Sequence, residues 1–389
     1  MFYQDFVLIQ HTPLLHFENL KNATIRLTEL KSKLDKFLIR ECKDKGIEIE
    51  QSNRRKFLRY KVFLEIPDAH NISIRKIEKK NKGYPLYFGN MGDDYDNNPR
   101  YQSNVNGKLK IRFFCFDKTI LNCIKENFEA FLANTNFGTR QSKGYGSFYL
   151  YDKPFNPALI KKPVYKFSIE KTNWVDAFSD IELFYRFLRQ GINIPIKGKP
   201  LYCKPAVFSY LKEKYSNLEW EKRLIKQTCF SNQLKGQIKN HQNSDILQAG
   251  NKTADIRDIF GLSTEESWRS YNKAKIKKSG INGIERFKSP LLIKPIKVDG
   301  KFDVYIFEED RNEERLKDFL GSELIITIVN KDKKDCKSMH IKVIEEFCFD
   351  KFFEYVSKIN MDEYAGRNYH ETYEYKKLKS ILKSFRKAN

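Results

Sequence analysis

Apolar positions along the chain switch between two periods, and the switches mark out its elements. Residues 6–10 (FVLIQ) read as a strand. In ATIRLTELKSKLDKFLIRE, which begins at Ala23, Ile25, Leu27, Leu30, Leu34, Phe37 and Leu38 recur at helical spacing, with Arg26, Lys31, Lys33, Lys36 and Arg40 among or opposite them. That is an amphipathic basic helix. Two alternating runs follow, RYKVFLEI (59–66) and KLKIRFFCF (108–116), whose β-branched and aromatic residues suit strands. Helical spacing returns over 118–136 with Ile120, Leu121, Ile124, Phe128, Phe131 and Leu132. The loop NFGTRQSKGYGS (136–147) then separates this helix from a strand at SFYLYD.

The order β, α, β, β, α, β predicts an α+β domain of the ferredoxin-like, RRM-type arrangement, an antiparallel sheet with two helices on one face. KPFNPALIKKPVY (153–165) places three prolines in an irregular stretch and predicts a boundary, giving domains over 1–155 and 156–389. Beyond it, KFSIEKT suits a strand, and 180–190, 204–215 and 216–230 suit helices. Strands return over 289–310, where Asp299 and Gly300 mark a hairpin turn, and at 324–329. A helix over 343–358 and a basic helical tail from 371 complete the pattern. A second ferredoxin-like domain with helical and polar insertions accounts for this order. The stretches 68–107 and 231–255 are too long and polar to be simple connectors.

Composition narrows the partner. Lysine and arginine outnumber aspartate and glutamate 72 to 50, a net charge of +22, which favours a polyanion. The 21 tyrosines and 31 phenylalanines offer stacking surfaces, so nucleic acid is favoured over membrane. No run approaches 18 apolar residues, so no membrane span is expected. MFYQDFVLIQHTP has no basic leader region and suits a first strand. Seven scattered cysteines without a CxxC pair indicate neither a zinc ribbon nor a disulfide lattice, and fit a reducing cytoplasm.

The chemistry concentrates in the glycine loop. Gly138, Gly144 and Gly146 can turn bare main-chain N–H groups toward an anion, Arg140 and Lys143 add charge, and Tyr145 can stack on a base. A P-loop is excluded, because five residues instead of four separate Gly138 from Gly144 and Tyr145 stands where lysine is needed. No pattern indicates a metal or a cofactor. Asp93, Asp94 and Asp96 form an acidic cluster without ordered ligand spacing, most simply a solvated loop.

HTPLLHFEN with ATIRLTELKSKLDKFL, FGTRQSKGYGSF, and IFGLSTEESW with RFKSPLLIKP together resemble the RAMP superfamily, the repeat-associated proteins of CRISPR effector complexes. Within it, the chain is most similar to the first-subunit family of the Cmr, or type III-B, complex. The resemblance implies a non-catalytic RNA-binding subunit that holds crRNA and helps capture target RNA in antiviral defence, beside other RAMP subunits. It carries Arg26 and Lys31 over as RNA contacts from the "LR-TELK" pattern, and Arg286, Lys288 and Ser289 from the "R--SP" passage. The alternative is an endoribonuclease of the same superfamily, with His11 or His16 as general base on a 2′-hydroxyl, or a loop aspartate cleaving the target.

Overall fold

The computed structural model describes residues 1–16, 24–47, 49–52, 55–65, 72–76, 101–194, 201–215, 218–222, 224–225, 252–263, 265–268, 274–280, 286, 288–309, 313–329, 336–365 and 369–389. The chain forms two compact units. One comprises Met1–Glu182, Leu292–Phe307 and Ser384–Asn389, and the other Leu183–Leu291 and Glu308–Lys383. Both sheets described next belong to the first unit.

The first sheet is formed by β1 (Phe2–Gln10), β2 (Lys61–Glu65), β3 (Lys108–Cys115) and β4 (Phe148–Leu150), in the spatial order β2-β3-β1-β4 with every pairing antiparallel. Helix α1 (Leu27–Glu41) follows β1, and α2 (Lys118–Ala133) follows β3. Alternation along β3 buries Leu109, Ile111, Phe113 and Cys115, while Lys110, Arg112 and Phe114 take the opposite face. Helix α1 sinks Leu30, Leu34 and Leu38, one turn apart, into the same core. Asp117 starts α2 by accepting from the Thr119 N–H at 2.7 Å, a cap contributing about 1 kcal/mol.

The second sheet comprises β5 (Val164–Ile169), β6 (Leu291–Val298), β7 (Lys301–Glu308) and β8 (Arg386–Lys387), in the order β6-β7-β5-β8. Its β5 runs antiparallel to β7 and β8. Helix α3 (Trp174–Arg189) follows β5, and α4 (Tyr373–Ser384) precedes β8. Asp299 and Gly300 turn the β6–β7 hairpin with φ of 47° and 79°, the pair of left-handed residues that a tight turn between twisted strands requires. The compact units therefore do not follow a cut at 155/156. Val164, Leu292, Ile296, Tyr305 and Phe307 share one apolar cluster with Leu8, Phe128 and Phe148, and a joint core makes both sheets one body.

The second unit is built on a mixed sheet. Its strands lie in the order Leu218–Trp220, Lys252–Asp255, Cys336–Val343, Glu323–Val329, Ala274–Gly280, Glu265–Trp268. The first two pairings are parallel and the rest antiparallel, so the expectation of antiparallel sheets throughout is corrected here. Two predicted helices also change. Leu218–Trp220 is a strand because it pairs with Lys252–Ala254, and the helix expected over 343–358 is confined to Phe349–Ser357, after a strand ending at Val343. Residues 68–71 and 77–100 of the first long polar stretch and 231–251 of the second lie outside the described residues. Ile72–Lys76 and Tyr101–Val105 form a small antiparallel sheet with Leu14–His16.

Beside that mixed sheet lies a buried ionic cluster. The Lys278 ammonium, fully out of water, stands 2.5 Å from Asp258, 3.1 Å from Glu266 and 3.6 Å from Asp255. Arg257 pairs with Glu221 and, at 3.2 Å, with Glu266, while Arg189 reaches Asp258 at 3.3 Å. Burial, and then the neighbouring Asp258 carboxylate, push the Asp255 carboxyl well above the usual range. Three cations, Lys278, Arg257 and Arg189, face four carboxyl groups, those of Asp255, Asp258, Glu221 and Glu266. Replacing one member leaves its partners buried and uncompensated, at about 3–5 kcal/mol. Lys278→Met is therefore expected to lower the unfolding free energy of the second unit by that amount in urea titrations.

Candidate nucleic-acid interface

The loop between α2 and β4 is built by left-handed backbone. Gly138, Gly144 and Gly146 have φ of 76°, 95° and 66°, and Arg140 joins them at 58°. A Cβ on Gly146 would lie 2.0 Å from the Phe137 carbonyl oxygen, and one on Gly138 2.6 Å from that of Leu15. These glycines permit close approach of two backbones.

The second backbone is Thr12–Leu15. Gly146 donates to the Pro13 carbonyl at 2.8 Å, Thr139 to that of Leu15 at 2.9 Å, and Phe137 to that of Gly146 at 2.9 Å. The Thr12 hydroxyl donates to the Gly144 carbonyl at 2.7 Å and accepts from the Ser147 N–H at 2.9 Å. Gly144 donates to Gln141, and Gly138 to the Glu29 carboxylate at 3.0 and 3.1 Å. The sequence reading aimed these amides at an anion. The structure corrects it: the N–H groups of Gly138, Gly144 and Gly146 are spent inside the fold, one of them on a carboxylate.

Tyr145 needs the same correction. Its ring is 0% exposed and stacks on Phe178 of α3, with centroids 4.2 Å apart, so it offers no face to a base. Lys143 is half-buried, with its Nζ out of water. Lys31 donates to Asp35 at 2.9 Å and to the Leu58 carbonyl at 2.8 Å, with its Nζ 4.0 Å from the centre of the Tyr60 ring. It ties α1 to the stretch before β2. Lys33 pairs with Glu29 at 2.7 Å and donates to the Asn136 carbonyl and the Gln141 side chain, at 2.7 and 2.6 Å. Arg26, at the N-cap of α1, and Arg140, at the loop tip, are half-buried. The Glu29–Gly138 and Lys33–Gln141 bonds bring the loop beside the first two turns of α1, which follow Arg26.

Three residues absent from the sequence reading hold this arrangement. Glu29 and Thr12 are two, and Lys294 of β6 is the third. The Lys294 ammonium is fully buried and donates to the carbonyls of Thr135 and Phe148, at 2.8 and 3.0 Å, and to Asn136 Oδ1 at 3.3 Å. Burial, with Lys33 nearby, takes it well below the ordinary lysine range. Its sequence signal was available, since LLIKPIKV sets one lysine inside an apolar strand.

The remaining candidates divide by location. Arg286 and Lys288, both exposed, and Ser289, buried, belong to the second unit, where Lys288 lies 3.4 Å from Glu309. His16 pairs with Tyr101 in a strand. Asp93, Asp94 and Asp96 lie outside the described residues. His11 is half-buried: its Nδ1 accepts from the Lys297 N–H at 3.0 Å and its Nε2 is shut from water. Burial, then Lys294 and Lys297, lower its pKa to about 3. A general base needs a free, accessible lone pair, which His11 does not present. Among the described residues, no group of three or more histidines, cysteines or acids could hold a metal, and no helix is long and apolar enough to cross a membrane.

These features define an α+β protein with two four-stranded sheets in one unit, a glycine loop locked between them, and a second unit on a mixed sheet. The chain belongs to the Cmr1 family: the Cmr1 N-terminal domain matches residues 1–192 and the Cmr1 C-terminal domain matches residues 202–380. Cmr1 is a subunit of the Cmr, or type III-B, CRISPR complex. Among solved structures, the chain is similar to the apo form of Cmr1 from Pyrococcus furiosus, at 10% identity and a TM-score of 0.40, covering 79% of this chain and 88% of that one. The search of curated proteins gives no match.

Two outcomes are expected from this geometry. Gly146→Ala should cost at least about 3 kcal/mol, from left-handed strain plus a displaced carbonyl, whereas Gly46→Ala, also at positive φ but in open space, should cost about 1 kcal/mol. Thermal unfolding of both variants checks this. A depressed histidine pKa means that the unfolded chain binds the extra proton, so stability falls as pH drops below about 6.5 and the loss is complete below about 3. Between pH 7 and pH 5 the wild type should lose about 2 kcal/mol more than His11→Asn, as read from urea midpoints.

Proposed function

We propose that this chain is a non-catalytic, RNA-binding subunit of the Cmr complex that holds crRNA and helps capture target RNA for antiviral defence. The observation that carries the reading is a net charge of +22 on a member of the Cmr1 family, an excess suited to a phosphate backbone. We further propose that both sheets of the first unit are ferredoxin-like. Each follows the chain order β, α, β, β, α, β, with the first and third strands central.

The part assigned to the glycine loop changes with the geometry. Its amides and Tyr145 are internal, so the loop acts as a rigid mount for Arg140 beside Arg26 at the start of α1. Phosphates reach these guanidinium groups, and Arg140 is held in place by its left-handed backbone. Arg286 and Lys288 are further phosphate contacts in the second unit. Lys31 and Lys143 act as packing cations.

In the full chain, Arg26→Ala with Arg140→Ala should weaken binding of an unstructured labelled RNA and reduce the slope of log K against log salt by about 1.4, two phosphate contacts on a single strand. Lys31→Ala should leave that slope unchanged. Equal slopes for wild type and the double arginine variant would remove this surface from the proposal. RNA sequencing of the complex pulled from its native cells tests the crRNA assignment.

A further inference from the structure

The outer face of the first sheet carries aromatic side chains in water. Strand register puts Tyr3, Asp5, Val7 and Ile9 of β1 on one face with Lys108, Lys110, Arg112 and Phe114 of β3 and Lys61, Phe63 and Glu65 of β2. The opposite face is the core that buries Leu8, Leu109, Ile111 and Phe113. Tyr3 is 64% exposed and Phe63 52%, and Phe116, just past β3, is 83% exposed. Side chains this large are expensive to leave in water, and a contiguous group of them marks a contact surface.

The geometry is that of a platform. Tyr3 and Phe114 are direct cross-strand partners on the two central strands, with ring centroids 6.5 Å apart, and Phe63 meets Phe114 edge-on at 5.1 Å. The Arg112 guanidinium lies 5.2 Å from the centre of the Tyr3 ring and is fixed by two 2.6 Å bonds to Asp5. Lys110 sits between Asp5 and Glu65, at 3.7 and 3.5 Å. On this face four cations (Lys61, Lys108, Lys110, Arg112) accompany two carboxylates (Asp5, Glu65). A protein partner would be met by a dry apolar centre with charges at the rim. Here Arg112 stands between Asp5 and Phe63 in the row beside Tyr3 and Phe114, and Lys110 and Lys108 continue in line along β3, as backbone-tracking cations do beside rings that stack bases.

We propose that this face is a second RNA site, on which unpaired bases stack on Tyr3 and Phe63 while Arg112 and its neighbouring lysines follow the phosphates. The proposal rests on the RNA-binding reading above and adds to it a surface that reads bases as well as backbone. It is separate from the phosphate contacts proposed for Arg26 and Arg140. Both rings are exposed, so they can be replaced without opening the core.

The test uses the full chain and two fluorescent probes of roughly 12 nucleotides, oligouridine and an abasic ribose-phosphate oligomer of the same length. Wild type should prefer oligouridine. Tyr3→Ser with Phe63→Ser should lower its affinity for oligouridine about tenfold or more, leave the abasic oligomer unchanged, and keep the melting temperature. Tyr3→Phe with Phe63→Tyr should restore binding, and 4-thiouridine should crosslink to residues 2–5 or 108–116. Equal affinity of wild type and the serine variant for oligouridine overturns the proposal, and so does equal wild-type affinity for the two probes. If the serine variant instead loses other Cmr subunits with RNA binding intact, the face is a protein interface and the proposal fails. A wild type that binds neither probe overturns the RNA-binding reading itself, whereas loss of binding only in the Arg26/Arg140 variant overturns this face alone.

Discussion

Every buried main-chain N–H and C=O has to find a partner, and in this chain that requirement is concentrated where the glycine loop lies against Thr12–Leu15. Gly138 lets the loop touch the Leu15 backbone and Gly146 lets it fold back on Phe137, the Thr12 hydroxyl bonds twice to the loop across the seam, and Lys294 satisfies the carbonyls of Thr135 and Phe148 that flank the loop. An unpaired amide or carbonyl there would forfeit the desolvation cost of the group, about 1–3 kcal/mol each. The closure joins β1, α1, α2, β4 and β6, all within the first unit. Two of the sequence passages that stand out, HTPLL and FGTRQSKGYGS, are thus halves of one contact.

The first sheet was legible because local pattern and tertiary partner agree along it. Leu109, Ile111 and Phe113 alternate as a strand with one wet face should, and Leu30, Leu34 and Leu38 repeat as a helix on a core should. The hairpin at Asp299-Gly300 was legible for a local reason, since few residue pairs accept two positive φ values. In the second unit partner and pattern diverge. Leu218–Trp220 precedes a helix-like run, and only a parallel neighbour arriving at Lys252 makes it a strand. Three residues cannot announce such a pairing. The compact units were hidden as well, because Val164 and Tyr305 join the core of the first sheet through contacts far apart in the chain.

At the candidate site, residue types were legible and their direction was not. Gly138, Gly144 and Gly146 do mark a backbone that must bend left-handed and come close to something. Whether that something is a phosphate or another strand depends on where Pro13 and Leu15 sit, some 130 residues earlier by chain position. Tyr145 shows the same ambiguity, since a ring suited to stacking on a base is equally suited to stacking on Phe178. Lysines mislead for a related reason. Their stems pack and their ammonium groups cap carbonyls, so Lys31 and Lys33 contribute to the fold what a count of charges assigns to a ligand.

The ordering of β5 in the second sheet also bears on how the protein is made. β5 lies between β7 and β8, and its Val164 N–H donates to Asn389 Oδ1, a partner 225 positions later. At ordinary elongation rates the ribosome needs about 11–45 s to span that interval. Throughout it, one edge of β5 is a bare row of amides and carbonyls, open to any strand that drifts past. The nascent protein must therefore shield a half-built sheet while the whole second unit is being translated.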